Sequence, residues 1–247
     1  MIERCCTGIL LLSAKNGKNI MNKNIVIAID GPAGSGKSSV AREVAKRMGL
    51  QYIDSGALYR AITLYVLEKS GESFTRDDVC RHLNAIHLEQ VFNEDGSCTT
   101  ICNGIDVSEK IRSETIASHI GKISDIIEVR NFVNSLMREW AKGNSIIVDG
   151  RDIGTVVFPD ALIKIYLDAS VDERAKRRAL EYSLKGKEVD LDELKTQIRR
   201  RDEQDMKRKF GALKKSDDAI YLDTSNMTQG EVVHSIYSLI NTKIQYC

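Results

Sequence analysis

Apolar residues run almost unbroken through Ile25 to Ile29, Ser145 to Asp149 and Leu162 to Leu167. Runs of this kind predict strands buried on both faces, as in a parallel sheet. Shorter runs at Gln51 to Ile53 and Ala219 to Leu222 bring the predicted strands to five. Helical spacing falls between them. It predicts helices over Ala41 to Met48, from Asp54-Ser55-Gly56 to about Lys69, over Ser113 to Ile123 and Ile126 to Trp140, and at the end over Gln229 to Ile240. Asp125, with Glu128 three residues on, is the expected cap of the Ile126 helix.

Two stretches break this βα rhythm. From 72 to 112 a charged helix (Arg76 to Asn84) leads into alternating runs at Ile86 to Phe92, Ser97 to Ile101 and Ile105 to Val107. Asn93-Glu94-Asp95-Gly96 and Asn103-Gly104 separate those runs, which predicts a small antiparallel meander. From 171 to 212, Ser170-Val171-Asp172-Glu173 opens an Arg-rich helix, Gly186 breaks it, and a second charged helix runs from Asp190 to about Lys209. The expected organisation is an α/β core of residues 21–71, 113–170 and 213–247, carrying inserts at 72–112 and 171–212. Residues 1–20, ahead of Met21, are expected to be a loose extension outside the fold.

The first strand runs straight into Gly31-Pro32-Ala33-Gly34-Ser35-Gly36-Lys37-Ser38, a complete G-x-x-x-x-G-K-[ST] loop. Its glycines let backbone N–H groups turn inward around a polyphosphate. Lys37 reaches β/γ oxygens, and the Ser38 hydroxyl suits Mg²⁺. The helix that follows points its N-terminal dipole at the same anion. Strand, loop and helix together predict a P-loop NTPase core of three layers.

Ile146-Ile147-Val148-Asp149 ends an apolar strand on a carboxylate, the usual place for an acid beside a P-loop magnesium, and also a common turn-forming pattern. The continuation Gly150-Arg151-Asp152 sets a guanidinium and a second carboxylate at the strand edge where α/β sheets bind ligands. Arg suits phosphate, and Asp accepts from exocyclic amines or sugar hydroxyls. Arg201, Asp205 and Arg208 fall at i, i+4 and i+7, on one helical face. Such a face is either a solvated, salt-bridged surface or an anion-facing wall, and Arg174, Arg177 and Arg178 pose the same choice.

Composition narrows the partners. The 247 residues hold 36 Lys+Arg against 35 Asp+Glu, a formal charge of +1, which argues against a general nucleic-acid binder. Six cysteines lie scattered at 5, 6, 80, 98, 102 and 247 without ligand spacing, so reduced thiols are expected and a zinc site is not. The apolar stretch Gly8 to Leu12 is too short to span a membrane. A cytoplasmic monomer with small-molecule substrates, and with neither nucleic acid nor membrane as partner, is the expectation.

Four segments carry a resemblance: Ile29 to Ser38, Asp54-Ser55-Gly56-Ala57-Leu58-Tyr59-Arg60, Asp149 to Ala161, and Arg201-Asp202-Glu203-Gln204-Asp205. Together they resemble the bacterial cytidylate kinases over about residues 22 to 240. The resemblance implies ATP-dependent phosphorylation of CMP and dCMP, with 72–112 as the nucleoside-monophosphate-binding insert and 171–212 as a lid. It implies that residues 31–39, through Ser39, hold ATP, and that Arg60, Arg151 and Arg208 contact the acceptor phosphate. Arg201 and Asp205 would reach the ribose, and Ser55, Arg130 and Asp152 would surround the base. Lys37 with the lid arginines Arg174 and Arg178 would neutralise the transferring group, and Ser38 and Asp149 would serve Mg²⁺.

The chain departs from the family pattern at three places. Gly121 stands where a hydroxyl residue is usual beside the base. Ile127 stands where a proline precedes the Arg130 helix, and Lys209-Phe210-Gly211-Ala212-Leu213 lacks a proline before the leucine. Base selectivity and lid closure are where the resemblance is loosest. The residues alone also admit a kinase for another small acceptor, such as shikimate or AMP, or a P-loop regulator without catalysis.

Overall fold

The computed structural model describes residues 24–184 and 186–245, so the extension assigned to residues 1–20 lies outside it. In chain order the elements are β1 (Val26–Asp30), α1 (Lys37–Met48), β2 (Gln51–Asp54), α2 (Ser55–Ser70), α3 (Arg76–Leu83), β3 (Leu88–Phe92), β4 (Cys98–Cys102) and β5 (Ile105–Asp106). There follow α4 (Glu114–Ser124), α5 (Ile127–Ala141), β6 (Ile146–Gly150), β7 (Ile163–Asp168), α6 (Val171–Leu184), α7 (Leu191–Met206), β8 (Ile220–Asp223) and α8 (Gln229–Gln245). The described chain divides into two compact units, residues 56–143 and residues 25–55 with 144–245.

The second of these holds the five-stranded parallel sheet, in the order β2-β6-β1-β7-β8. Its strands are apolar because both faces are covered: Ile27, Ile29, Ile147, Val148, Ile165 and Leu167 are all buried. Each such side chain stabilises the fold by about 1.5–3 kcal/mol relative to exposure. Register places the carboxyl ends of three strands side by side, with Asp149 opposite Ile29 on one neighbour and Asp54 on the other, and Asp30 opposite Gly150. Acidic residues of distant sequence therefore meet at one sheet edge. Glycine closes α1, where Gly49 takes a left-handed φ of 66° and returns its N–H to Ala45 and Lys46. Helices α6 and α7 pack on one another through Ala175, Leu194 and Ile198, with Val171, Ala179 and Tyr182 beside them.

Residues 56–143 form their own core around Leu58, Ile62, Val66, Leu88, Ile116, Ile123, Val133 and Met137. The predicted meander is present as an antiparallel sheet, β3-β4-β5. Asn103 and Gly104 join β4 to β5 with φ of 50° and 79°, the pair of positive values that a two-residue hairpin turn of the Asn-Gly type requires. Helix α3 carries a full capping box between Thr75 and Asp78.

The expected capping box at Asp125 is not formed. Asp125 instead closes α4, its N–H returning to Gly121 and Ile123, so the cap of α5 falls on Ile126, which has no side-chain acceptor. Glu128, the would-be partner, pairs with Arg76 of α3.

Candidate functional site

The site is assembled where β1 and β6 end. Gly31 leaves β1 with a φ of 151°, and a Cβ there would stand 2.0 Å from the Leu167 carbonyl oxygen, so only glycine lets the loop start this close to β7. Gly36 sits at the N-cap of α1 with φ 89° and offers no capping side chain, and no acid lies in the first turn. Helices α3, α4 and α7, by contrast, have Thr75, Ser113 and Asp190 accepting from their first N–H groups. The leading N–H groups of α1 are thus left for an anion, with the helix dipole behind them.

Lys37 is buried and donates to the Pro32 carbonyl at 2.6 Å and to Ser35 Oγ at 3.2 Å, which holds the ammonium inside the loop. Burial, and then the positive charge of Arg151, push its pKa down to about 7. Ser38 Oγ donates to Asp149 Oδ2 at 2.7 Å, and Tyr52 donates its hydroxyl to Asp149 Oδ1 at 2.7 Å. Burial, followed by the charge of Asp54 on the adjoining strand, raises Asp149 to about 6. A hydroxyl and a buried carboxylate under pressure from a second carboxylate form a hard-oxygen set that suits Mg²⁺. Ser55 donates to the Asp149 carbonyl at 2.6 Å and fixes the end of β6.

Beyond β6 the chain makes a tight turn of π geometry over Ile153–Val157: Val157 N–H returns to the Asp152 carbonyl and Phe158 N–H to that of Ile153. Arg151 and the buried Asp152 stand at its mouth. Arg151 Nε donates to Asp205 Oδ2 at 2.8 Å. Arg208 donates to Asp205 Oδ1 at 2.7 Å, and Arg201 Nε lies 3.3 Å from the same oxygen. Asp205 has no exposed surface. Burial alone would raise its pKa, but the three guanidiniums outweigh that and hold it below the ordinary value. Three cations on one carboxylate leave a surplus of positive charge that a phosphate dianion would balance.

Arg174 is buried and spans three elements. It donates to the Ala169 carbonyl at 2.9 Å, to the Ala33 carbonyl of the loop at 3.0 Å and to Asp202 of α7 at 2.7 Å. Arg178 lies over the Tyr182 ring, 6.0 Å from its centroid. Its neighbour Arg177 also lies beside the loop, with Nη1 at 3.8 Å from where a Gly36 Cβ would stand and its nitrogens donating to Glu173 and Thr224. Arg60 and Arg130 belong to the 56–143 unit, where Arg60 reaches the Ile111 carbonyl and Arg130 the Ser124 carbonyl, with its guanidinium over Tyr59.

The sequence gives no role to Tyr52, Asp202 and Asp30, and Arg177 enters it only as one charge on an Arg-rich helix. Asp30 had a signal, since it ends an apolar strand as Asp149 does, and Arg177 follows Arg174 at helical spacing. Among the described residues no cluster of three metal-binding side chains occurs, and Cys80, Cys98 and Cys102 are free thiols.

The profile of a protein family described as cytidylate kinase matches residues 27–242. A cytidylate kinase of Caldanaerobacter subterraneus subsp. tengcongensis is 43% identical over 91% of this chain and 99% of its own. One from Fusobacterium nucleatum subsp. nucleatum is 43% identical over 86% and 95%. Another, from Geobacillus sp. strain WCH70, is 42% identical over 91% and 100%.

Proposed function

The chain belongs to the cytidylate kinase family, and from that premise we propose that it transfers the γ-phosphoryl group of ATP to CMP or dCMP, giving ADP and CDP or dCDP. The observation that carries the acceptor side is Asp205, fully buried under Arg151, Arg201 and Arg208. A nucleoside monophosphate has a second pKa near ~6 and is mostly dianionic at neutral pH, so it needs cationic recognition more than a general base. Arg151 and Arg208, with Arg60, take the acceptor phosphate, and Arg201 and Asp205 take the ribose. Ser55, Arg130 and Asp152 form the base subsite, where a carboxylate accepts from the cytosine N4 amine and would repel the uracil carbonyl at the same place.

On the donor side, residues 31–39 wrap the ATP phosphates. Lys37 turns from Pro32 and Ser35 to the β/γ oxygens, and Arg174, Arg177 and Arg178 supply further positive charge from α6. Ser38 and Asp149 hold Mg²⁺ directly or through water, and the ion neutralises charge on the phosphates when bound. Closing residues 171–212 as a lid, over a core of 21–71, 113–170 and 213–247 with the acceptor insert at 72–112, excludes water that would hydrolyse ATP.

A cytoplasmic monomer without nucleic-acid or membrane partners completes the proposal. It agrees with a formal charge of +1, and no described helix is long and apolar enough to cross a membrane. A coupled ADP-release assay across CMP, dCMP, UMP, AMP and shikimate tests the assignment. CMP or dCMP should lead; preference for AMP, UMP or shikimate would overturn it.

A further inference from the structure

We propose that Asp30, which the phosphate loop follows directly, is a positioning residue for the acceptor: its carboxylate holds the turn that presents Arg151 and Asp152. A helical turn leaves its first N–H groups without acceptors of its own, and here those of Ile153 and Gly154 point at Asp30. Oδ1 accepts from Ile153 at 2.8 Å and Oδ2 from Gly154 at 2.7 Å, across 123 and 124 positions of sequence. The cap that short helices usually take from a neighbouring Ser or Asp is supplied by another strand.

The turn it caps fixes Asp152 in return. Val156 and Val157 both donate to the Asp152 carbonyl, at 2.9 and 3.2 Å, so the Asp152 backbone, and with it the point from which its side chain projects, is fixed by the turn. Gly154 fits the clamp closely, for a Cβ there would stand 3.3 Å from Asp30 Oδ2 and 3.2 Å from the Lys164 stem. Asp30 is itself buried in β1, with Gly150 beside it on β6 and Tyr166 on β7. Buried carboxylates without such donors are costly, so the two N–H groups and Asp30 hold each other in place. One side chain thereby fixes the geometry of the Arg151-Asp152 corner relative to the strand that launches the phosphate loop.

This inference rests on Asp152 being part of the acceptor subsite, and the test separates the two. Binding of CMP and of a non-hydrolysable ATP analogue is measured by calorimetry for Asp30→Asn, Asp30→Ala and Gly154→Ala, with Asp152→Ala as control and thermal midpoints for all. Asp30→Ala should weaken CMP about tenfold or more while the ATP analogue changes less than about threefold, because the loss is of buried hydrogen bonds on the acceptor side. Asp30→Asn, which retains one acceptor, should fall between. Gly154→Ala, whose methyl would crowd Asp30 Oδ2 and the Lys164 stem by a few tenths of an ångström without altering charge, should give a smaller loss with the same selectivity for CMP even if the Asp30 variants fail to fold. Lost ATP affinity with CMP unchanged would mean that Asp30 acts through Lys37, and a lower midpoint with both affinities intact would reduce it to structural support. Either result overturns the inference, as does equal weakening of both ligands. If Asp152→Ala leaves CMP binding intact, the base-subsite reading fails, whereas an effect there with none at Asp30 and Gly154 sinks this inference alone.

Discussion

Arg151 and Asp205 are 54 positions apart in sequence, yet Arg151 Nε donates to Asp205 Oδ2 at 2.8 Å, which joins the corner after β6 to the last turn of α7. The contact converts a face of charged residues into an interior one. Asp205 is fully buried, and Arg208 exposes only 6% of its side chain. A helix face with this sequence would be solvated on an isolated helix; here Arg151 of the β6 corner and Arg174 of α6 meet it at Asp205 and Asp202. Because α7 ends at Met206, short of the expected Lys209, Arg208 reaches Asp205 from beyond the helix end.

Removing the hub leaves three guanidiniums facing one another. Asp205→Ala should therefore destabilise the protein by about 3–5 kcal/mol, the range for breaking one side of a buried ion pair. Its pH dependence has a definite sign. Because the folded pKa of Asp205 is held below the ordinary 3.8, its contribution is present above that value and fades as pH falls below it. Urea unfolding of wild type and variant at neutral and acid pH measures both, and equal stabilities at pH 7 would refute the hub.

Lys37 should act on the donor. Lys37→Met should keep the fold and lower turnover by several orders of magnitude, since a preorganised charge on the transferring group is lost. With its pKa pushed from 10.5 to about 7, its amine is mostly neutral in the ligand-free protein at pH 8, and folding stability on its account rises between those two values. A bound polyphosphate reverses the shift. Calorimetry at pH 8 in two buffers of different ionisation enthalpy should show ATP binding taking up most of a proton, and Lys37→Met should abolish it. Wild-type binding without uptake would contradict the depressed amine.

For the base, Asp152→Ala should weaken CMP by about 1–3 kcal/mol with little change for ATP, because a buried exocyclic amine loses its acceptor. Equilibrium binding of each ligand alone decides it. A loss confined to ATP would move Asp152 to the metal site.

The sheet and the phosphate loop were legible because their signals are local: unbroken apolar runs, a fixed glycine spacing, a helix behind it. The Asn103-Gly104 hairpin was legible for the same reason. What escaped depends on partners distant in sequence. The turn over Ile153–Val157 exists because Asp30 accepts its first N–H groups, and no spacing within 149–161 announces that. Periodicity put Arg174, Arg177 and Arg178 on one helix but not in their places, and packing set Arg174 against Ala33, Arg177 near Gly36 and Arg178 over Tyr182. Asp125 failed as a cap because it already closes α4, one residue before the cap of α5 at Ile126, so its backbone was committed.

The segment from about 183 to 210 should change protection when substrates bind. Its helix α7 meets the β6 corner of the core through the charged contact of Arg151 to Asp205, whereas Arg174 to Asp202 and the packing of Leu194 and Ile198 on Ala175 join it to α6. Charged contacts of this kind rearrange when a competing anion arrives, because a phosphate offers Arg151 and Arg208 the acceptors that Asp205 now provides. Hydrogen exchange across these residues should slow strongly with CMP plus a non-hydrolysable ATP analogue, and less with either alone, since closure needs both phosphates in place. Arg208→Ala should raise the CMP KM about tenfold or more, with a smaller effect on the ATP KM and modest loss of stability, because it removes one of three cations and leaves Asp205 paired. If exchange ignores both ligands and Arg208→Ala turns over like wild type, the Asp205 cluster is a structural tie between α7 and the β6 corner, and the acceptor phosphate is bound elsewhere.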